Sequence, residues 1–160
     1  MTFRQAVGQT PRLKGTWKAG LGALRAEDKP HIKPEDPKRL RGSVDVDTAL
    51  QQSEPNAHRW DFAIAYQHTN RTSEFIYWVE THTGSDNQIS TVLDKLAWLK
   101  KWFRAGGRTL AKFAREIVWV ASGPTTFTKG ATQVKILATK GVRYSGSVLR
   151  IPNTHPNSSH

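Results

Sequence analysis

Residues 59–83, RWDFAIAYQHTNRTSEFIYWVETHT, constrain the fold more than any other stretch of this chain. Two runs rich in aromatic and β-branched residues flank the polar turn HTNRT, the pattern of two strands joined as a hairpin. A turn closing between Asn70 and Arg71 brings Asp61 opposite Glu80. Residues directly opposed in an antiparallel pair share a face, with Cβ atoms about 4.5–5.5 Å apart, so two like charges there destabilise the sheet. His82, two residues beyond Glu80, falls on the same face by the period of two. A slip of one residue would send the acids to opposite faces.

A divalent cation turns that repulsion into attraction. Mg²⁺ takes hard carboxylate oxygens and keeps waters for substrate phosphates, so Asp61 and Glu80 read as ligands for Mg²⁺ or Mn²⁺. The plainer reading pairs Asp61 with Arg59 and leaves Glu80 solvated at a strand end.

The charge distribution around this pair narrows the function classes. Residues 1–42 hold ten Lys or Arg against four acids, residues 98–160 hold eleven against one, and residues 43–97 hold three against eight. Two basic flanks around an acidic centre suit a polyanion held by cationic surfaces beside a cation site. The other use of a formal net charge of +11 is solubility alone. The absence of Cys excludes disulfides, thiolate zinc sites and cysteine nucleophiles. No apolar run reaches the roughly 18–20 residues of a membrane span, and MTFRQAVGQTPRLKG lacks the apolar core of a secretory signal, so a cytoplasmic location and no membrane partner are expected. No glycine-rich phosphate loop of the required spacing occurs.

Along the chain, residues 1–42 read as a basic Pro/Gly-rich arm, packed on the domain or extending from it, with one short helix at WKAGLGALRAED. SVDVDTALQQ reads as a short helix capped by Ser43 or Asp45. After the hairpin, SDNQISTVLDKLAWLKKWFRAGG predicts a long helix, capped by Ser85 or Asp86, with Ile89, Val92, Leu93, Leu96, Leu99 and Phe103 as its apolar stripe. EIVWVAS reads as a buried strand, and residues 125–152 as one or two strands around a Lys140-Gly141 turn. Residues 153–160 read as a frayed tail with two exposed His. Residues 43–152 thus form a single α/β domain, a sheet flanked by helices.

Over about residues 43–122 the pattern resembles the PD-(D/E)xK nuclease-like superfamily: a first helix, an acid on one strand (Asp61), an acid-x-base element on the next (Glu80-Thr81-His82), then a helix and a strand. The resemblance implies a restriction-endonuclease-like core with a mixed central sheet, a metal held by Asp61 and Glu80, and phosphodiester hydrolysis in DNA or RNA. Trp60 stands where that pattern has Pro, Asp47 and Glu54 are both open as an acid of the first helix, and His82 fills the slot usually held by Lys. In some relatives that lysine has moved, and Lys95, at the border of the helix stripe and one heptad after Gln88, can reach the hairpin end. His82 can instead act as a general base or a third ligand.

Phosphate contacts are expected from Arg39, Arg41, Lys100, Lys101, Arg104, Arg108, Lys135, Lys140 and Arg143. Trp98 and Trp102 lie off the stripe, available for base stacking or for burial under the N-terminal segment. The expected function is a Mg²⁺-dependent nuclease or an inactive relative. The alternatives are a nucleic-acid-binding protein without chemistry, and a basic protein-interaction module. Oligomeric state is left open, with a dimer among the possibilities.

Overall fold

A computed structural model of the chain describes residues 1–83, 86–123 and 132–156. In chain order the elements are α1 (Phe3–Gln9), β1 (Ile32–Pro34), β2 (Leu40–Asp45), α2 (Val46–Leu50), β3 (Phe62–Tyr66), β4 (Phe75–His82), α3 (Ile89–Phe103), α4 (Arg108–Ala111), β5 (Arg115–Ala121), α5 (Thr132–Lys140), β6 (Arg143–Tyr144) and β7 (Leu149–Ile151). A mixed five-stranded sheet runs in the order β2-β3-β4-β5-β6, and β1 and β7 form a separate two-stranded sheet. The first three strands of the large sheet are antiparallel neighbours, whereas β5 and β6 run parallel to β4. No helix among the described residues is long and apolar enough to cross a membrane.

The hairpin register is the expected one, from Phe62 opposite Val79 to Tyr66 opposite Phe75. Every residue of β3 is buried, because alternate side chains enter two different cores. Ala63, Ala65, Ile76 and Trp78 join Phe3, Ala6 and Val7 of α1 and Val92, Leu96 and Leu99 of α3 on one face. Phe62, Ile64, Tyr77 and Val79 join Leu24, Ile32, Leu149 and Ile151 on the other. Covering on both faces explains why the strands read as near-continuous apolar runs. The alternation also assigns sides to the polar end of β4: Glu80 and His82 continue the row of Trp78, facing α3, and Thr81 continues that of Val79.

Several expected elements differ. Residues 43–45 end β2 instead of starting a helix, because Ser43, Val44 and Asp45 pair with Ile64, Ala63 and Phe62. The helix that follows is only Val46–Leu50, with the Asp45 side chain accepting from the Thr48 amide at 2.9 Å. WKAGLGALRAED forms turns and no helix: Lys18 bridges to Ser43, and Trp17 Nε1 donates to the Arg41 carbonyl at 3.0 Å. The N-terminal helix is α1, closed by a capping box between Thr2 and Gln5. Residues 1–42 therefore supply core side chains, and the 42/43 boundary falls inside β2.

Helix α3 carries the expected stripe and also buries Trp102, while Trp98 stacks on Trp102 with ring centroids 5.8 Å apart and donates to Glu54 at 3.0 Å. Of its two expected caps, Ser85 lies outside the described residues, and Gln88 occupies the N-cap position with no side-chain cap bond. Residues 132–140, expected as strand, are found as α5, and residues 125–131 of that stretch lie outside the described residues. Parallel strands need a crossover of a dozen or more residues, and α5 belongs to the one joining β5 to β6. Its end is a Schellman closure at Gly141 (φ 98°), where the Val142 amide donates to Leu137 and the Gly141 amide to Ala138, both at 3.0 Å. The tail is tied down through His155: Tyr66 Oη donates to Asn153 at 2.7 Å, and His155, 3% exposed, lies 2.9 Å from Glu116. His160 lies outside the described residues.

The N-terminal segment is locked onto β2 at Gly42, whose φ is 107° and where an added Cβ would lie 2.1 Å from Trp17 Nε1. Gly42→Ala is expected to lower unfolding stability by roughly 2–5 kcal/mol, from overpacking and backbone strain together. Urea denaturation checks it: the midpoint falls with an unchanged slope.

Candidate active site

The site forms where β3 begins and β4 ends. Asp61 stands one residue before β3, and its carbonyl accepts the Val46 and Asp47 amides at 3.0 and 3.3 Å, pinning it to the start of α2. Extending the hairpin register by one pair sets Asp61 opposite Glu80. Asp61 Oδ2 accepts from the Thr81 amide at 3.0 Å and from Thr81 Oγ1 at 3.1 Å, and its Oδ1 lies 3.6 Å from Lys95 Nζ. Lys95 Nζ also donates to Glu80 Oε2. One ammonium from α3 therefore spans both carboxylates.

Burial gives this cluster its character. Glu80 is 0% exposed and Asp61 8%. Glu80 Oε1 and His82 Nε2 are buried without a hydrogen-bond partner among the described residues. An unsatisfied buried polar atom costs about 1–3 kcal/mol, and Glu80 and His82 place two on one face of one strand. Burial, then the charge of Asp61, pushes the Glu80 carboxyl well up, against the pull of Lys95. Burial raises the Asp61 carboxyl too, opposed by Lys95 and by the Thr81 bonds. Burial alone would lower the Lys95 ammonium, but the charges of Glu80 and Asp61 outweigh it and hold it up. Burial, then Lys95, lowers His82, leaving a neutral imidazole at neutral pH.

Among the described residues no three His, Asp or Glu side chains converge as a ready-made metal cage. The donor set nevertheless fits Mg²⁺, which uses one or two carboxylates and keeps its other positions for water and phosphate. Two carboxyl groups share one ammonium, and Glu80 Oε1 still has no partner among the described residues.

Other residues fall elsewhere. Arg59 pairs with Asp47 at 2.9 Å and so is no partner of Asp61, and Glu54 accepts from Trp98. The expected phosphate contacts are not brought to the acids. Because β5 runs parallel to β4, α3 must travel back to the start of β5, where Arg115 lies over Phe103. Lys100, Lys101, Arg104 and Arg108 therefore sit on turns leading away from Lys95. Lys100 donates to the Lys140 carbonyl at 2.9 Å, and Arg143 pairs with Glu116 at 2.7 Å, both near the start of β5. Arg39 and Arg41, at the start of β2, bond to the carbonyls of Gln67 and Lys38. Lys135 is exposed on α5.

Two residues outside the sequence-level candidates do reach the site. Thr81 orients Asp61 from the opposite face of the sheet, and Arg25 Nη2 lies 3.4 Å from Thr81 Oγ1. Thr81 lies inside the acid-x-base element and was readable from it; no local pattern marks Arg25.

Replacing Lys95 leaves Glu80 buried without its countercharge. Lys95→Met is expected to cost about 3–5 kcal/mol at neutral pH. Since the folded Glu80 carboxyl titrates above its ordinary value near 4.5, folding binds a proton, and stability falls as pH rises from that value through the folded one. Without Lys95 the folded value rises further. The deficit should be small near pH 4 and grow toward pH 8 in thermal melts; a pH-independent deficit would contradict the ion cluster.

No family model, no curated protein and no solved structure matches this chain.

Proposed function

We propose that the chain is a divalent-metal-dependent nuclease of the restriction-endonuclease-like kind, hydrolysing phosphodiester bonds of DNA or RNA. The observation that carries the reading is the meeting of Asp61, Glu80 and Lys95 at one end of the β3–β4 hairpin, with Glu80 Oε1 buried and unpartnered among the described residues. A helix, an acid entering one strand, an acid on its neighbour, then a helix and a parallel strand also follow the order that the resemblance requires.

Asp61 and Glu80 would hold Mg²⁺ or Mn²⁺, which when bound supplies positive charge at the phosphate and lowers the pKa of a coordinated water. Thr81 fixes the Asp61 carboxylate through two hydrogen bonds, so that its other oxygen stays turned toward Lys95. Lys95, charged at neutral pH, stabilises negative charge developing on the phosphate oxygens. Neutral His82 accepts a proton from the attacking water.

A second reading, an inactive relative that binds nucleic acid, draws on the same ammonium: Lys95 already reaches both carboxylates and can serve as their permanent countercharge. Incubation with single-stranded, duplex and branched DNA and with RNA separates the two. The nuclease reading expects cleavage with Mg²⁺ or Mn²⁺, abolished by chelation and reduced about 100-fold or more in Lys95→Met and His82→Gln. Calorimetric heat of metal binding should vanish in Asp61→Asn and Glu80→Gln. A wild type that binds no metal and cuts no strand refutes it.

A further inference from the structure

Arg25 reaches the Asp61 and Thr81 pair from the N-terminal segment, on the face opposite Lys95. Its guanidinium is held from three directions. Nε donates to Asp28 Oδ2 at 2.8 Å, Nη2 lies 3.4 Å from Thr81 Oγ1, and Cζ stands 5.4 Å from the Phe62 ring centroid. Asp28 is itself 3% exposed, so this anchor is fixed. Glu27, at 3.8 Å and with its side chain 73% exposed, is a solvent-screened neighbour.

Despite these holds, the Arg25 side chain stays 53% exposed. A fixed arginine with one edge bonded and the other in water is the geometry that binds a phosphate oxygen, because the planar fork loses little freedom on binding. A line of polar contacts runs from Arg25 through Thr81 to Asp61 and on to Lys95. A phosphate drawn to the acids through a metal would therefore meet one cation on each side of the sheet.

We infer that Arg25 is a substrate-phosphate binding residue of this site, held beside Asp61 by Asp28 and Thr81. The inference rests on the nuclease reading and deepens it, by drawing the anion contact from the N-terminal segment rather than from the basic turns of α3. The buried anchor also assigns Asp28 a positioning role.

The test measures binding of a labelled oligonucleotide, single-stranded and duplex, against salt concentration, together with cleavage kinetics in Mg²⁺. Arg25→Ala alone leaves Asp28 buried and unpaired, so the variants are Arg25→Lys and the double substitution Arg25→Met with Asp28→Asn, each checked by thermal melting. The double variant is expected to bind roughly tenfold more weakly. Its salt slope should be smaller by about 0.9 on duplex or 0.7 on single strands. KM should rise while kcat changes little. Arg25→Lys keeps the charge and therefore the slope, but raises KM because an ammonium cannot fork. Wild type that cleaves, with both variants matching it in slope and KM, overturns this inference and leaves the nuclease reading standing. Wild type that neither binds nor cleaves removes the nuclease reading and the inference together.

Discussion

A carboxylate taken wholly out of water needs a countercharge within reach, and Glu80 has one only because α3 passes over the end of β4 with Lys95 turned inward. The hairpin register that buries Val79 and Trp78 on their proper faces also commits Glu80 to the helix side and Thr81 to the other. Turning Glu80 to the other face would mean slipping β4 by one residue, which exchanges the side-chain rows that fill the two cores. The sheet's apolar packing thus holds an acid where electrostatics alone would not place it. The ion cluster is the local response.

The parallel step from β4 to β5 then divides the molecule into two ends. The acids, His82 and the start of α3 share one; the last turns of α3 and the start of β5 share the other. Basic residues near Lys95 in sequence are carried away from it by the rise of the helix, about 1.5 Å per residue. The segment that returns to the acids is residues 17–28, laid along β2 by the Lys18–Ser43 bridge and by Trp17 over Gly42, and it brings Arg25. Position in the fold, and not charge density along the chain, decides which cations face the site.

Much of the centre was legible. The hairpin was readable because both strands are dense in aromatic and β-branched residues around an unambiguous polar turn, and α3 because its stripe repeats over four turns. Lys95 was readable from its place at the border of that stripe. The short elements were not. α2 has five residues and follows β2 without a break, so its capping pattern could not show where the strand stops. In α5, Val134, Ile136 and two threonines suggest a strand, yet Leu137 alone is buried and Ile136 is 47% exposed. His155 lies in a terminal segment of turn-forming residues, and partners far away in sequence, among them Glu116, Asn70 and Phe75, explain its burial.

From the amino-acid sequence alone came the two strands, their register, the opposition of Asp61 and Glu80 and the helix that follows, because each rests on periodicity within a short window. Tertiary structure alone decided that the N-terminal segment enters the core, that residues 132–140 cross over as a helix, and that Arg25 approaches Asp61 through Thr81 while the other cationic turns point away. These outcomes depend on which surfaces remain to be covered once the sheet exists. Such long-range demands leave no local signature in a sequence.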